Sequence, residues 1–269
     1  MNFSVLMSLY IKERPEYLIQ CLDSLLNQTV KPDEVVIVED GPLTSELLDV
    51  LDGWQDKIPL KRIRINKNVG LGKALNEGLK HCKFSLVARM DTDDICLPNR
   101  FERQLYVFKS ENIDICGSWV SEFSENIDII TAFKKAPIQH DDIVKFSRLR
   151  NPMNHPSVMY RKSVVIEVGG YDDVLYFEDY HLWLKLIDSK SRFYNIDEPL
   201  VSMRANPSQL SRRGGFKYGC HELYFLNSCA RNGIMPKAIA FRNAMIRFPS
   251  RLIPQSALKM LYKNVLRRN

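Results

Sequence analysis

The sequence predicts an α/β fold, a mostly parallel sheet covered by helices, followed by a basic helical C-terminal region. Three observations point there. Short apolar runs alternate with helical patterns through the first half of the chain, the order that builds parallel sheets. Polar and acidic residues fall directly after those runs, at Tyr10, Asp40 and Asp91 to Asp94, and such sheets bind ligands beyond the carboxyl ends of their strands. Charge is uneven: the chain carries +6, yet from Arg212 to Asn269 twelve Lys or Arg stand against one Glu. That stretch holds +11, and the first 211 residues hold −5.

Taken in order, Ser4 to Leu9 is a short apolar run, and Tyr17 to Leu26 sets Leu18, Leu22, Leu25 and Leu26 on one helical face. Val35 to Val38 reads as a second buried strand, ending at Glu39-Asp40-Gly41-Pro42. An amphipathic piece from Leu47 to Trp54 leads to a strand from Leu60 to Ile65, and Asn68-Val69-Gly70 opens a helix from Leu71 to His81. Phe84 to Met90 is the fourth strand, Pro98 to Phe108 the next helix and Ile113 to Cys116 the fifth strand. The second half is less regular. Residues 118–133 alternate as strands do, Gln139 to Phe146 is helical, and the polar loop from Asn151 runs into a strand ending at Tyr160. Gly169-Gly170-Tyr171-Asp172 is a turn. Glu178-Asp179 open a helix whose inner face is Leu182, Trp183, Leu186 and Ile187, and two acids in a first turn also suit the helix dipole by themselves.

Asp91, Asp93 and Asp94, directly behind the fourth strand, carry the strongest chemical signal. Carboxylates this close repel one another, and a hard cation with oxygen ligands offsets the repulsion, as a divalent metal on a diphosphate would. The competing reading is an acidic turn that caps the helix near Pro98.

Composition excludes several classes. Six cysteines without a Cys-x-x-Cys pair suggest neither a zinc site nor a disulfide framework, and fit a reducing compartment. Met1 to Tyr10 lacks the basic lead and cleavage site of a signal peptide. No apolar run approaches the roughly 20 residues of a spanning helix, so a soluble or peripheral protein is expected. In the basic tail, Ile234 to Phe248 and Pro254 to Leu266 mix apolar residues with cations at near-helical spacing. They read either as interfacial helices on an anionic surface or as an ordinary solvated helix pair, with Pro249 and Pro254 expected to keep them separate. No nucleic-acid motif is present.

Nine strings in order, Ser4 to Tyr10, Asn27-Gln28-Thr29, Val36 to Gly41, Asn68 to Leu71, Ala74 to Gly78, Arg89 to Asp94, His155 to Met159, Gly169 to Asp172 and Glu178 to Trp183, resemble the family 2 glycosyltransferases. The resemblance covers roughly residues 3 to 210, with bacterial O-antigen and exopolysaccharide enzymes nearest in look. It implies a GT-A catalytic domain over 1–211, a basic extension over 212–269, and transfer with inversion. Implied too are a UDP-sugar donor, a sugar acceptor on a polyprenyl (undecaprenyl) diphosphate, Mn²⁺ or Mg²⁺, and a peripheral place on the inner face of the bacterial inner membrane. Glu39 and Gly41-Pro42 depart from the family's usual spelling of the second-strand motif.

By the same resemblance, Tyr10 lines the nucleotide pocket, Asp40 holds the base, and the Asn68 and Gly70 turn closes that side. Asp93 and Asp91 are the metal residues, Asp93 as the direct ligand and Asp91 on the ribose or the metal's water, with Asp94 leaving a second register open. Asp179 is the general base with Glu178 second, and His155 reaches the diphosphate or acceptor unless it is a packed loop histidine. Arg100 reads as a diphosphate contact or a solvated ion pair, Trp183 as core, and Tyr171 and Tyr176 as free to stack on an acceptor sugar. A nucleotidyltransferase and a non-catalytic nucleotide-sugar-binding module are the alternatives; the first strand is not followed by a Gly-rich loop, and two separate acidic groups speak against mere binding.

Overall fold

A computed structural model of the chain describes residues 1–205 and 214–252. It divides into two compact units, Met1–Asp173 with Glu178–Arg204, and Val174–Phe177 with Ala205–Asn269. The boundary expected between 211 and 212 falls outside the described residues.

The first unit is built on one nine-stranded sheet. Its strands are β1 (Phe3–Leu9), β2 (Glu34–Asp40), β3 (Leu60–Ile65), β4 (Leu86–Arg89), β5 (Ile95–Cys96), β6 (Ile115–Phe123), β7 (Ile130–Lys134), β8 (Met159–Arg161) and β9 (Phe193–Arg204). Their order is β3-β2-β1-β4-β8-β6-β9-β5, with β7 paired to β6. β3, β2, β1 and β4 run parallel, as expected. β8 then pairs antiparallel with both β4 and β6, so the sheet is mixed rather than parallel throughout. β1 and β2 are covered on both faces, which is why they read as unbroken apolar runs.

The helices are α1 (Pro15–Leu26), α2 (Ser45–Trp54), α3 (Leu71–His81), α4 (Arg100–Ser110), α5 (His140–Ser147), α6 (Lys162–Glu167) and α7 (Glu178–Asp188). Two apolar clusters flank the sheet. One gathers Leu18, Leu22 and Leu25 of α1, Leu47 and Leu51 of α2 and Phe101 of α4 against Val5, Met7 and Ile37. The other packs Leu75 and Leu79 of α3 and Leu182, Trp183 and Leu186 of α7 with Leu6, Val36 and Val38. Gly78 lets α3 approach closely, since a Cβ there would lie 2.5 Å from Leu6 Cδ1 and 2.6 Å from Val38 Cγ2.

In the second unit, α8 (Phe216–Arg231) and α9 (Lys237–Leu252) pack together around one ion cluster. Glu222 of α8, 1% exposed, accepts from Arg247 Nη1 at 2.7 Å and from Arg251 Nε at 2.8 Å. Phe177 stacks on Phe225 with ring centroids 4.8 Å apart. α9 runs through Pro249, against the expected break. Pro249 sits in the last turn, where its missing N–H and ring displace a single hydrogen bond at an exposed position. The segment expected from Pro254 lies outside the described residues. No helix among the described residues is long and apolar enough to cross a membrane.

Candidate active site

Four turns leave the carboxyl ends of β1, β2, β3 and β4, and the candidate nucleotide residues sit on them. Tyr10, just after β1, is 37% exposed. Asp40 ends β2 and is buried. Its Oδ1 accepts the Val69 N–H at 2.7 Å, and its Oδ2 accepts from the Gly70 N–H at 3.1 Å and Asn68 Nδ2 at 2.9 Å. The structure thus brings Asp40, Asn68 and Gly70 together by bonding them to one another. Gly41 has φ +86, and a Cβ on it would lie 2.7 Å from Asn68 N, so a side chain would push the two turns apart. Glu39 points elsewhere and pairs with Arg62 at 2.6 Å and Arg64 at 3.3 Å.

After β4, ligand oxygens of Asp91, Asp93 and Asp94 all lie within 4.8 Å of one another. Burial, followed by the repulsion of neighbouring carboxylates, pushes the Asp93 and Asp94 carboxyls above their ordinary range. The turn is anchored from a distance. Arg204 donates its backbone N–H to Asp94 Oδ1 at 2.8 Å and its Nε to the Asp93 carbonyl at 3.1 Å. Cys21 Sγ donates to the Asp91 carbonyl at 3.2 Å, and Thr92 Oγ1 to Glu13 at 2.7 Å. Asp94 Oδ2 is buried with no hydrogen-bond partner among the described residues. Three crowded carboxylates, Asp91, Asp93 and Asp94, with an unmatched buried oxygen on Asp94, make a donor set that a hard divalent cation such as Mn²⁺ or Mg²⁺ fits.

Sequence reasoning missed Arg89. This last residue of β4 is 1% exposed, and its Nη2 pairs with Asp91 Oδ1, while Nε and Nη1 are buried without a partner among the described residues. The available signal was a cation inside the apolar run Phe84 to Met90. Arg204 was missed as well, because nothing local marks a residue whose partners are so distant.

The second acidic group opens α7. Asp179 Oδ1 accepts the Tyr180 N–H and Oδ2 accepts from Asn151 Nδ2, both at 2.7 Å, and burial raises its pKa. Burial lifts Glu178 further, to about 7, and leaves its Oε2 without a partner among the described residues. The charge of Arg89 works against both rises. Backbone N–H groups at the start of α7 lower both carboxyls against the rise that burial imposes, so the helix-start reading accounts for part of the arrangement.

Other expectations need correcting. Arg100 is neither a diphosphate contact nor solvated: fully buried, it donates Nη2 to the carbonyls of Arg89 at 2.8 Å and Val158 at 3.3 Å, and Nε to Gln104 at 3.1 Å. Tyr171 is 3% exposed and not available for stacking. Its hydroxyl lies 2.9 Å from His155 Nε2, and its backbone is held by Asn76 at 2.7 and 2.8 Å. His155 is a packed residue beside Tyr171 and Trp183, and burial holds its imidazole neutral. Trp183 is core, as expected. Tyr176 is 45% exposed at φ +71, its ring against Tyr218 and His221 of the second unit.

A curled α/β sheet with acidic turns at its strand ends defines the GT-A class of glycosyltransferase. The chain belongs to glycosyl transferase family 2, whose sequence model matches residues 4–169. It is 42% identical over 265 residues to the amylovoran biosynthesis glycosyltransferase AmsE of Erwinia amylovora, covering 97% of this chain and 98% of that protein. It is 41% identical over 268 residues to a UDP-Gal:α-D-GlcNAc-diphosphoundecaprenol β-1,3-galactosyltransferase of Escherichia coli, covering 99% of this chain and 97% of that one. In fold it is similar to the mannosyltransferase PcManGT of Pyrobaculum calidifontis, solved with GDP-Man and Mn²⁺. The TM-score is 0.69 at 14% identity, over 98% of this chain and 75% of that one.

Proposed function

We propose that this glycosyltransferase moves a hexose, Glc or Gal, from a UDP-sugar to a HexNAc on a polyprenyl (undecaprenyl) diphosphate, inverting the anomeric carbon. The proposed setting is O-antigen or exopolysaccharide repeat-unit synthesis at the inner face of a bacterial inner membrane. The observation that carries the reading is the pairing of two acidic groups in unlike surroundings: three crowded carboxylates at a strand end, and a carboxylate pair on α7 raised by burial. The near-full-length likeness to a UDP-Gal-dependent, lipid-diphosphate enzyme supports the donor and the acceptor.

In this reading Tyr10 and the Asp40-Asn68-Gly70 turn shape the nucleotide pocket, and Asp91 and Asp93 face the diphosphate. A divalent cation held by those two carboxylates would supply positive charge to the leaving diphosphate. Arg89 brings a second, permanent positive charge to the same region, with the N–H groups of two nitrogens, Nε and Nη1, still to place. Asp179 takes the proton of the acceptor hydroxyl as its oxygen bonds to the anomeric carbon and the bond to the diphosphate breaks. Asn151 orients that carboxylate, and burial raises its affinity for a proton. Because the base and the leaving group lie on opposite sides of the sugar, no covalent sugar–enzyme intermediate is needed.

The test is a donor screen with Mn²⁺ or Mg²⁺, a panel of nucleotide sugars and a synthetic lipid-diphosphate GlcNAc or GalNAc, read by product mass. Gain of one hexose with release of UDP, abolished by EDTA, is expected. Pyrophosphate as the released product would make the protein a nucleotidyltransferase, and UDP-sugar binding without turnover by any acceptor would make it a binding module.

A further inference from the structure

α9 leaves most of its large apolar side chains outside. Its packed face carries Ala240, Asn243 and Phe248, the last against Gly219, with Arg247 and Arg251 gathered on the buried Glu222 of α8. Its outward face carries Ala238, Phe241, Met245, Ile246, Pro249 and Leu252, recurring at helical spacing and all exposed. Phe241 is 69%, Ile246 64% and Met245 62% exposed. A helix in water turns such side chains inward, so the outward face is shaped for an apolar environment.

Charge selects which one. Glu222 is the only acidic residue from Ala205 to Asn269, and it is buried between two arginines. Among the described residues the unit therefore shows solvent no acidic side chain, while Lys217, Arg231, Lys237 and Arg242 are exposed. Residues 253–269 add four cations and no acid to the sequence. An apolar stripe bordered by cations and by no acidic side chain complements an anionic phospholipid surface, with rings and aliphatic chains among the acyl tails and cations at the headgroups.

We infer that the outward face of α9, centred on Phe241, Met245 and Ile246 with Arg242 at its edge, docks the protein on an anionic phospholipid bilayer. This deepens the reading above, in which the acceptor is anchored by a lipid, and it names the surface that meets that lipid's membrane. Deleting α9 is a poor test, because it would strip the buried Glu222 of both arginines.

The experiment compares the full chain with the triple variant F241S/M245S/I246S and with R242E, by sedimentation with phosphatidylcholine vesicles that contain or lack phosphatidylglycerol. Circular dichroism, elution volume and UDP binding are measured alongside. The wild type is expected to sediment with anionic vesicles only and to release in high salt. Each variant is expected to lose at least about tenfold in vesicle affinity with its fold and UDP binding unchanged. Undiminished vesicle binding by the triple variant overturns the inference, as does a wild type that ignores anionic vesicles. So does a change from dimer to monomer in the variant without a change in vesicle binding, which would make the face a contact between two copies. Transfer to the lipid-diphosphate acceptor in detergent separates the two readings: hexose transfer without vesicle binding removes only the docking surface, and vesicle binding without transfer removes only the proposed acceptor.

Discussion

The backbone N–H of Arg204 donates to the Asp94 carboxylate at 2.8 Å, linking the end of β9 to the acidic turn 110 residues earlier in the chain. The Arg204 guanidinium continues the clamp, reaching Gln20 at 2.6 Å and lying 3.8 Å from the centre of the Tyr17 ring. Arg204→Ala keeps the backbone bond and removes the rest. We expect a loss of about 2–4 kcal/mol in urea unfolding and weaker UDP binding, because the turn loses its far anchor. An unchanged midpoint would show that the backbone bond alone holds the turn.

Asp93 and Asp179 should fail differently. Asp93→Ala is expected to abolish transfer together with metal-dependent UDP-sugar binding. Asp179→Asn should abolish transfer while calorimetry still shows the donor bound. Near-normal turnover by Asp179→Asn would move the base to Glu178.

Glu178 makes stability depend on pH. Its carboxyl is raised from 4.5 to about 7 in the folded chain by burial, so the folded state binds the proton more tightly than the unfolded state. The associated stability is present below pH 4.5 and is lost as pH rises through about 7. Glu178→Gln should remove that loss, gaining roughly 1–3 kcal/mol on the wild type at pH 8 and little at pH 4. Urea titrations at the two pH values read the difference, and equal curves for the two proteins would place Glu178 in water.

Gly41→Ala tests the close approach of two turns. The added methyl meets Asn68 N at 2.7 Å in a left-handed backbone, so both strain and collision oppose it. A loss of about 1–3 kcal/mol is expected, with UDP affinity falling as Asp40 and the 68–70 turn separate. Retention of affinity would mean that the turn does not border the nucleotide.

The sheet half of the fold was legible because its burial is one-sided in the helices and two-sided in β1 and β2; the edge strand β3 is only partly buried. β3 and α3 begin and end where their patterns do, and β1 and β2 differ by a residue or a few. β9 was not, since Asp197-Glu198-Pro199 interrupts its apolar run at the place where its register with β6 shifts. Buried arginines were the largest blind spot. Arg100 reads as a diphosphate contact or solvated pair, and nothing in the sequence gives Arg89 or Arg204 a role, yet each is at most 1% exposed. Arg89 pairs with its near neighbour Asp91, and Arg100 and Arg204 bond to backbone carbonyls as distant as Val158 and Asp93. Asp40 shows the complementary limit: its position at a strand end was readable, its three hydrogen-bond donors from the next turn were not.

Val174–Phe177 belongs with the C-terminal helices, whereas Asp173 before it and Glu178 after it belong with the sheet. The helices are consequently not a cassette that can be cut away or exchanged at one junction. A gene shortened after codon 205 would still encode Phe177 but not the Phe225 ring it stacks on, one residue ahead of the α7 carboxylates. A chimera between relatives would have to carry residues 174–177 along with everything after 205, so inheritance of the two units is tied even where their chemistry is separate.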